Sequence, residues 1–106
     1  MGFFDFLKHP DINQGVKQYK TTPGAILMDV RTPQEYAEGH IPGGQNFPLQ
    51  DIDKAAIIID NKDTPLFVHC LSGGISRQAT AALKQMGYTN VTNIGGIADY
   101  HGKVER

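Results

Sequence analysis

The only cysteine in the chain, Cys70, stands where the apolar run Leu66-Phe67-Val68 gives way to Leu71-Ser72-Gly73-Gly74-Ile75-Ser76. A thiol reacts as its thiolate, and a free thiol ionises only near ~8.5. The question is whether the sequence supplies what would hold the anion. Paired glycines let the chain enter left-handed dihedrals, and a tight turn of that kind points successive backbone N–H groups inward. A helix starting there adds the positive end of its dipole. Taken alone, a cysteine at the end of an apolar strand is ordinary packing. The loop separates the two readings, because packing has no use for Ser72-Gly73-Gly74-Ile75-Ser76 just ahead of a helix, whereas an N–H cradle does. The sequence therefore predicts a nucleophilic Cys70, with Leu71, Ser72, Gly73, Gly74, Ile75 and Ser76 binding the substrate.

The elements that must position this thiol are marked by glycine and proline. Ala25-Ile26-Leu27-Met28 and Leu66-Phe67-Val68 are short continuous apolar runs between turn residues, the pattern of strands covered on both faces of a parallel sheet. Val91-Thr92-Asn93-Ile94 reads as a third strand and Gln45-Asn46-Phe47 as a short fourth, closed by Pro48. Thr32-Pro33-Gln34-Glu35 opens a helix, with Thr32 as cap, Pro33 in the first position, Glu35 completing a capping box and Gly39 as the stop. Ile52, Ala55, Ala56 and Ile59 form one amphipathic stripe. Ile75, Ala79, Ala82, Leu83 and Met86 form another, ended by Gly87. Residues 12–20 read as a further helix, weakened by Gly15. Strands alternating with helices predict an open α/β domain with helices on both faces. In such sheets the ligand crevice lies beyond the carboxyl ends of the strands, which is where Cys70 falls.

These residues also carry a resemblance. Asp29-Val30-Arg31-Thr32-Pro33-Gln34-Glu35-Tyr36, then Gly39-His40-Ile41-Pro42-Gly43-Gly44 with Asn46 and Pro48, then Cys70-Leu71-Ser72-Gly73, Gly87-Tyr88 and Gly95-Gly96-Ile97 resemble the single-domain rhodaneses of the rhodanese-like sulfurtransferase family, over nearly the whole chain from about Pro10. The resemblance implies a three-layer α/β domain around a central parallel sheet of about four or five strands. It also implies a cycle. Cys70 takes the outer sulfur of thiosulfate or a persulfide, holds it as Cys–S–SH, and passes it to a thiophilic acceptor. Backbone donors of residues 71 to 76 cradle the anions, and Asp29 and Arg31 brace the active loop as supporting residues. The second reading is a non-catalytic rhodanese-like protein-binding or sulfur-carrier module.

Rhodaneses commonly close this loop with arginine, and here Ile75 holds that place. The distance from Cys70 to Gly87-Tyr88 agrees with the family's usual helix, so Arg77 is not that arginine displaced by an insertion. Two residues along a helix turn the side chain by about 200°. If Ile75 belongs to the apolar stripe, Arg77 faces solvent with Thr80 and Lys84, and it enters the site only as a supporting residue. Persulfide formation is compatible with Ile75, whereas efficient use of thiosulfate is not expected. Phosphatase or arsenate reductase chemistry, which the related enzymes run on a longer loop ending in a phosphate-clamping arginine, is disfavoured. Ile75 suits an apolar or protein-borne acceptor, or else fills the helix face. Asp29 and Arg31 share one side if their strand continues that far. His69 points to the sheet face opposite Cys70 and reads as a satisfied structural histidine. His40 fixes the turn GHIPGG, and His101 has no evident partner.

Four histidines and one cysteine show no ligand spacing, so no metal and no cofactor are expected. With 106 residues the chain is one domain, and ten Lys plus Arg against eleven Asp plus Glu give no basic field for nucleic acid or anionic lipid. A lone cysteine makes no internal disulfide, and Met1–Lys8 is too short and too interrupted for a signal peptide, so the cytoplasm is expected. Residues 1–9 read as an apolar arm, with Phe3, Phe4, Phe6 and Leu7 on one side, far short of the ~20 residues that span a bilayer. The arm is expected to fold back on the domain, residues 10–106, or to dock a second copy as a homodimer. The partners expected are a small-molecule or protein-bound sulfur donor and a thiol acceptor.

Overall fold

The computed structural model describes residues 10–106. Apolar runs bounded by turns become four strands, β1 Ile26–Asp29, β2 Gly44–Asn46, β3 Leu66–Cys70 and β4 Val91–Gly96. They form a parallel sheet in the order β2-β1-β3-β4. Between them run α1 Ile12–Thr21, α2 Pro33–Glu38, α3 Ala55–Ile58 and α4 Gly74–Gln85, with 3-10 turns at Leu49–Lys54 and Ile97–Asp99. The central strands β1 and β3 are buried nearly throughout, which is why both read as unbroken apolar runs rather than as alternation.

Side chains alternate across the sheet and divide the core in two. On one face Met28, Val68 and Cys70 pack with Ala79 and Leu83 of α4 and with Ile52, Ala55 and Ile59. On the other, Leu27, Phe67 and Ile94 pack with Ile12 and Val16 of α1. The result is the expected three-layer α/β domain, with four strands. Gly15, which weakens α1 as a helix, is what lets it dock: the Ile94 side chain occupies the space a Cβ at Gly15 would need.

The α2 cap forms as expected. Glu35 N–H donates to Thr32 Oγ1 at 3.2 Å and Thr32 N–H to Glu35 Oε1 at 3.1 Å, with Gly39 closing the helix. The stripe of Ile52 to Ile59 is different. It splits into a 3-10 turn and the short α3, and Ala56 is exposed. Tyr88 O–H lies 2.6 Å from Ile59 O and 3.2 Å from Ala55 O, and by donating to Ile59 O it satisfies a carbonyl that a longer helix would have bonded internally.

Two expectations for α4 need correction. Ile75 is 42% exposed and lies outside the core, and Thr80 is buried instead of facing solvent. The buried face of α4 is Ser76, Ala79, Thr80 and Leu83, because Ser76 is hydrogen-bonded beneath the helix and Thr80 Oγ1 donates to Ser76 O at 2.8 Å. Counting apolar residues alone therefore mis-set the helix's rotation. Arg77 is exposed, as expected. The arm of residues 1–9 lies outside the described residues. Among the described residues no helix is long and apolar enough to cross a membrane.

Candidate active site

Strand β3 continues through Cys70, which pairs with Gly96 of β4 after an irregularity between Val68 and His69. Cys70 therefore ends a central strand, with its side chain on the α4 face of the sheet. The residue is only 1% exposed, yet it belongs to the lining of a cleft of about 420 Å³. One wall is residues 30–32 with Glu35, another is residues 48–50, and Leu71, Ser72 and Ile75 complete it. The sulfur is thus at the floor, beneath a rim that includes the exposed Leu71 and Ile75.

The loop is a cradle, as its glycines implied. Gly73 sits at φ 107°, a left-handed conformation that favours glycine, and its N–H donates to Cys70 Sγ at 2.9 Å. Ser76 Oγ lies 3.4 Å from the same sulfur. Burial pushes the Cys70 thiol up. Hydrogen bonds from the Ser76 hydroxyl and from the backbone of Ser76, Gly73 and Ser72 outweigh it, so the thiol is held below its ordinary range. Gly96 backs the loop so closely that the backbone of Leu71 and Ser72 fills the space of any side chain there. Gly74 opens α4 and is exposed, and neither it nor Arg77 is part of the cleft wall.

Sequence reasoning missed Asn93. Its Oδ1 accepts the Gly95 N–H at 3.1 Å, which fixes the orientation of the amide, and the Ser76 hydroxyl donates to the same oxygen at 2.8 Å. The Gly73 carbonyl, 3.0 Å from Ser76 Oγ, is a competing acceptor. A hydroxyl has one proton. While Cys70 is a thiol, S–H can donate to Ser76 Oγ, and on ionisation the hydroxyl can turn to the sulfur. The trace of this in the sequence is a half-buried amide in β4, between Thr92 and Ile94.

Asp29 and Arg31 come together, but not on the cysteine loop. Arg31 Nε and Nη2 donate to the Asp29 carboxylate at 2.7–3.1 Å, and Nη2 also donates to Gly39 O at 2.7 Å. The pair therefore braces the turn after α2, and among the described residues no hydrogen bond joins it to residues 71–76. His69 is fully buried beside Asp29 and only half satisfied: its Nδ1 meets Cys70 O at 3.3 Å, whereas Nε2, 3.8 Å from Asp29 Oδ2, has no hydrogen-bond partner among the described residues. Burial holds its pKa below the ordinary range against the opposing pull of Asp29. His40 stacks on Tyr36 with ring centroids 3.9 Å apart, and its Nδ1 meets Tyr36 O at 3.0 Å, holding the turn as expected.

A model of the rhodanese-like domain family matches residues 13–103. The chain belongs to the rhodanese-like family. A relative named thiosulfate sulfurtransferase PspE, from Escherichia coli strain K12, is 38% identical over 73 residues, 68% of this chain and 70% of that protein. A protein named sulfurtransferase from Allochromatium vinosum is 42% identical over 77 residues, 72% of this chain and 71% of the other. The solved structure described as rhodanese with anions from E. coli superposes with a TM-score of 0.72 at 34% identity, covering 77% of this chain and 98% of its own. This rhodanese-like domain therefore has relatives named as sulfurtransferases. Its cysteine loop carries backbone donors and a hydroxyl but no cationic side chain, since Ile75 stands at its end. Among the described residues Arg31, already paired with Asp29, is the only basic residue of the cleft wall.

Proposed function

We propose that the protein is a sulfurtransferase in which Cys70 carries sulfane sulfur as a persulfide. The observation that carries this reading is the Gly73 N–H aimed at Cys70 Sγ at 2.9 Å, with Ser76 Oγ at 3.4 Å on the same atom, at the floor of an open cleft. Loading forms one S–S bond and breaks another. Cys70–S⁻ attacks the outer sulfur of thiosulfate, giving Cys70–S–S⁻ and releasing sulfite with the bonding pair. With a persulfide donor the leaving group is a thiolate. Unloading is the reverse kind of step: an acceptor thiolate takes the outer sulfur and Cys70–S⁻ is regenerated. The negative charge passes from Sγ to the sulfur beyond it and back. Fixed donors of residues 71–76, already oriented before reaction, stabilise such charge without reorganising.

The test is intact mass after exposure to thiosulfate and, separately, to a low-molecular-weight persulfide. Wild type gains one sulfur atom with at least one donor, and Cys70→Ser gains none. Absence of the adduct with both donors, so that wild type and Cys70→Ser look alike, ends the enzymatic reading.

A further inference from the structure

Among the described residues the cleft wall holds two charged side chains, Arg31 and Glu35. Arg31 feels both nearby carboxylates, but its ion pair is with Asp29 and not with Glu35. Arg31 is neutralised by Asp29, with Nε and Nη2 both donating to that carboxylate and Nη2 also to Gly39 O. Glu35 has no cationic partner among the described residues. Its Oε1 accepts from Thr32 N and Oγ1 at 3.1 and 3.0 Å, bonds that place the carboxylate but leave its charge in the wall. Ile75 and Leu71, both exposed, give the rim an apolar character. A sulfur donor thus passes a carboxylate without a salt bridge and an apolar mouth before it reaches the hydrogen-bond donors around Cys70.

We propose that Glu35 sets the charge of the sulfur donor: the cleft disfavours the dianion thiosulfate relative to monoanionic sulfane-sulfur donors with an apolar body, such as organic thiosulfonates. This deepens the sulfurtransferase reading and rests on it. The step is the same for each donor. Cys70–S⁻ takes the outer sulfur of R–SO₂–S⁻, forming Cys70–S–S⁻ and releasing R–SO₂⁻, with one S–S bond made, one broken and charge conserved. Coulomb energy is proportional to donor charge, so on removal of the Glu35 charge a dianion's gain is the square of a monoanion's. Glu35→Gln is the informative change, because glutamine keeps an oxygen acceptor for the Thr32 cap.

The experiment measures the second-order rate of Cys70 loading by intact mass at low ionic strength, with thiosulfate, methanethiosulfonate and benzenethiosulfonate. Glu35→Gln is expected to speed thiosulfate loading about tenfold and both monoanions about threefold. The advantage should fade in ~1 M salt, where the screening length is about 3 Å. Benzenethiosulfonate should outpace methanethiosulfonate in wild type and variant alike. Glu35→Asp, which keeps the charge, should retain the wild-type ordering. Equal gains for all three donors, no gain, or an Asp variant behaving like the Gln variant would overturn the proposal. Wild type that loads from benzenethiosulfonate without charge-graded selectivity defeats this inference alone, whereas wild type that loads from no donor, persulfides included, defeats the sulfurtransferase reading with it.

Discussion

Replacing Ser76 by alanine deletes the hydroxyl 3.4 Å from Cys70 Sγ and leaves the Gly73 N–H at 2.9 Å in place. A hydrogen bond to a charged group contributes about 1.5–3 kcal/mol. The Ser76 proton is contested by Asn93 Oδ1 at 2.8 Å and the Gly73 carbonyl at 3.0 Å, so the lower end applies. About 1.5 kcal/mol is about a tenfold loss of thiolate at any pH well below the thiol midpoint. The assay is the rate of iodoacetamide alkylation across pH. Cys70 is nearly buried in wild type, and comparison of the two alkaline plateaus corrects for any change in access. Ser76→Ala should move the curve to higher pH, with alkylation about tenfold slower wherever the pH lies below both midpoints, while the alkaline plateau, where both proteins are fully thiolate, is unchanged. Ser76→Thr, which keeps a hydroxyl, should follow wild type. Superimposable curves for alanine and wild type, or a lower plateau at an unmoved midpoint, would refute the argument that this hydroxyl holds the thiolate.

Two further results are expected. Ile75→Arg places a cation at the rim where sulfite departs, and in that half-open position it should raise thiosulfate turnover about tenfold over any change with a persulfide donor; equal changes with both donors would reduce position 75 to packing. Because burial depresses the folded-state pKa of His69, the unfolded chain takes up that proton first. Stability is therefore complete above the ordinary histidine value of ~6.5 and falls as pH drops below it toward the folded value, by up to about 1.4 kcal/mol per pH unit. Denaturant titrations should show this slope in wild type and a flatter one in His69→Leu, and equal slopes would place the acid sensitivity elsewhere.

The central strands were legible because a parallel sheet covered on both faces needs continuous apolar runs, and Ile26–Met28 and Leu66–Val68 are such runs. The α2 cap was equally plain, since Thr32, Pro33 and Glu35 act within one turn of chain. So was the cradle: a left-handed Gly73 ahead of a helix is a local backbone demand that only glycine meets cheaply. What escaped was anything made between elements. The roll of α4 depended on Ser76 reaching Asn93 and could not be read from apolar spacing, so the sequence left Ile75 between the cleft mouth and the helix's apolar face, and the fold puts it at the rim.

Sequence alone determined that a single thiol would stand at the carboxyl end of a sheet strand inside a turn of backbone donors, because strand periodicity and glycine conformation are properties of neighbouring residues. Tertiary structure decided which groups share that thiol and what charge surrounds it. Asn93 lies 17 positions beyond Ser76 and Glu35 far upstream of Cys70, yet folding brings the first onto the hydroxyl and the second into the cleft wall. Hydrogen bonds and Coulomb forces depend on distance in space, and that distance is set only when α4 and α2 dock against the strands.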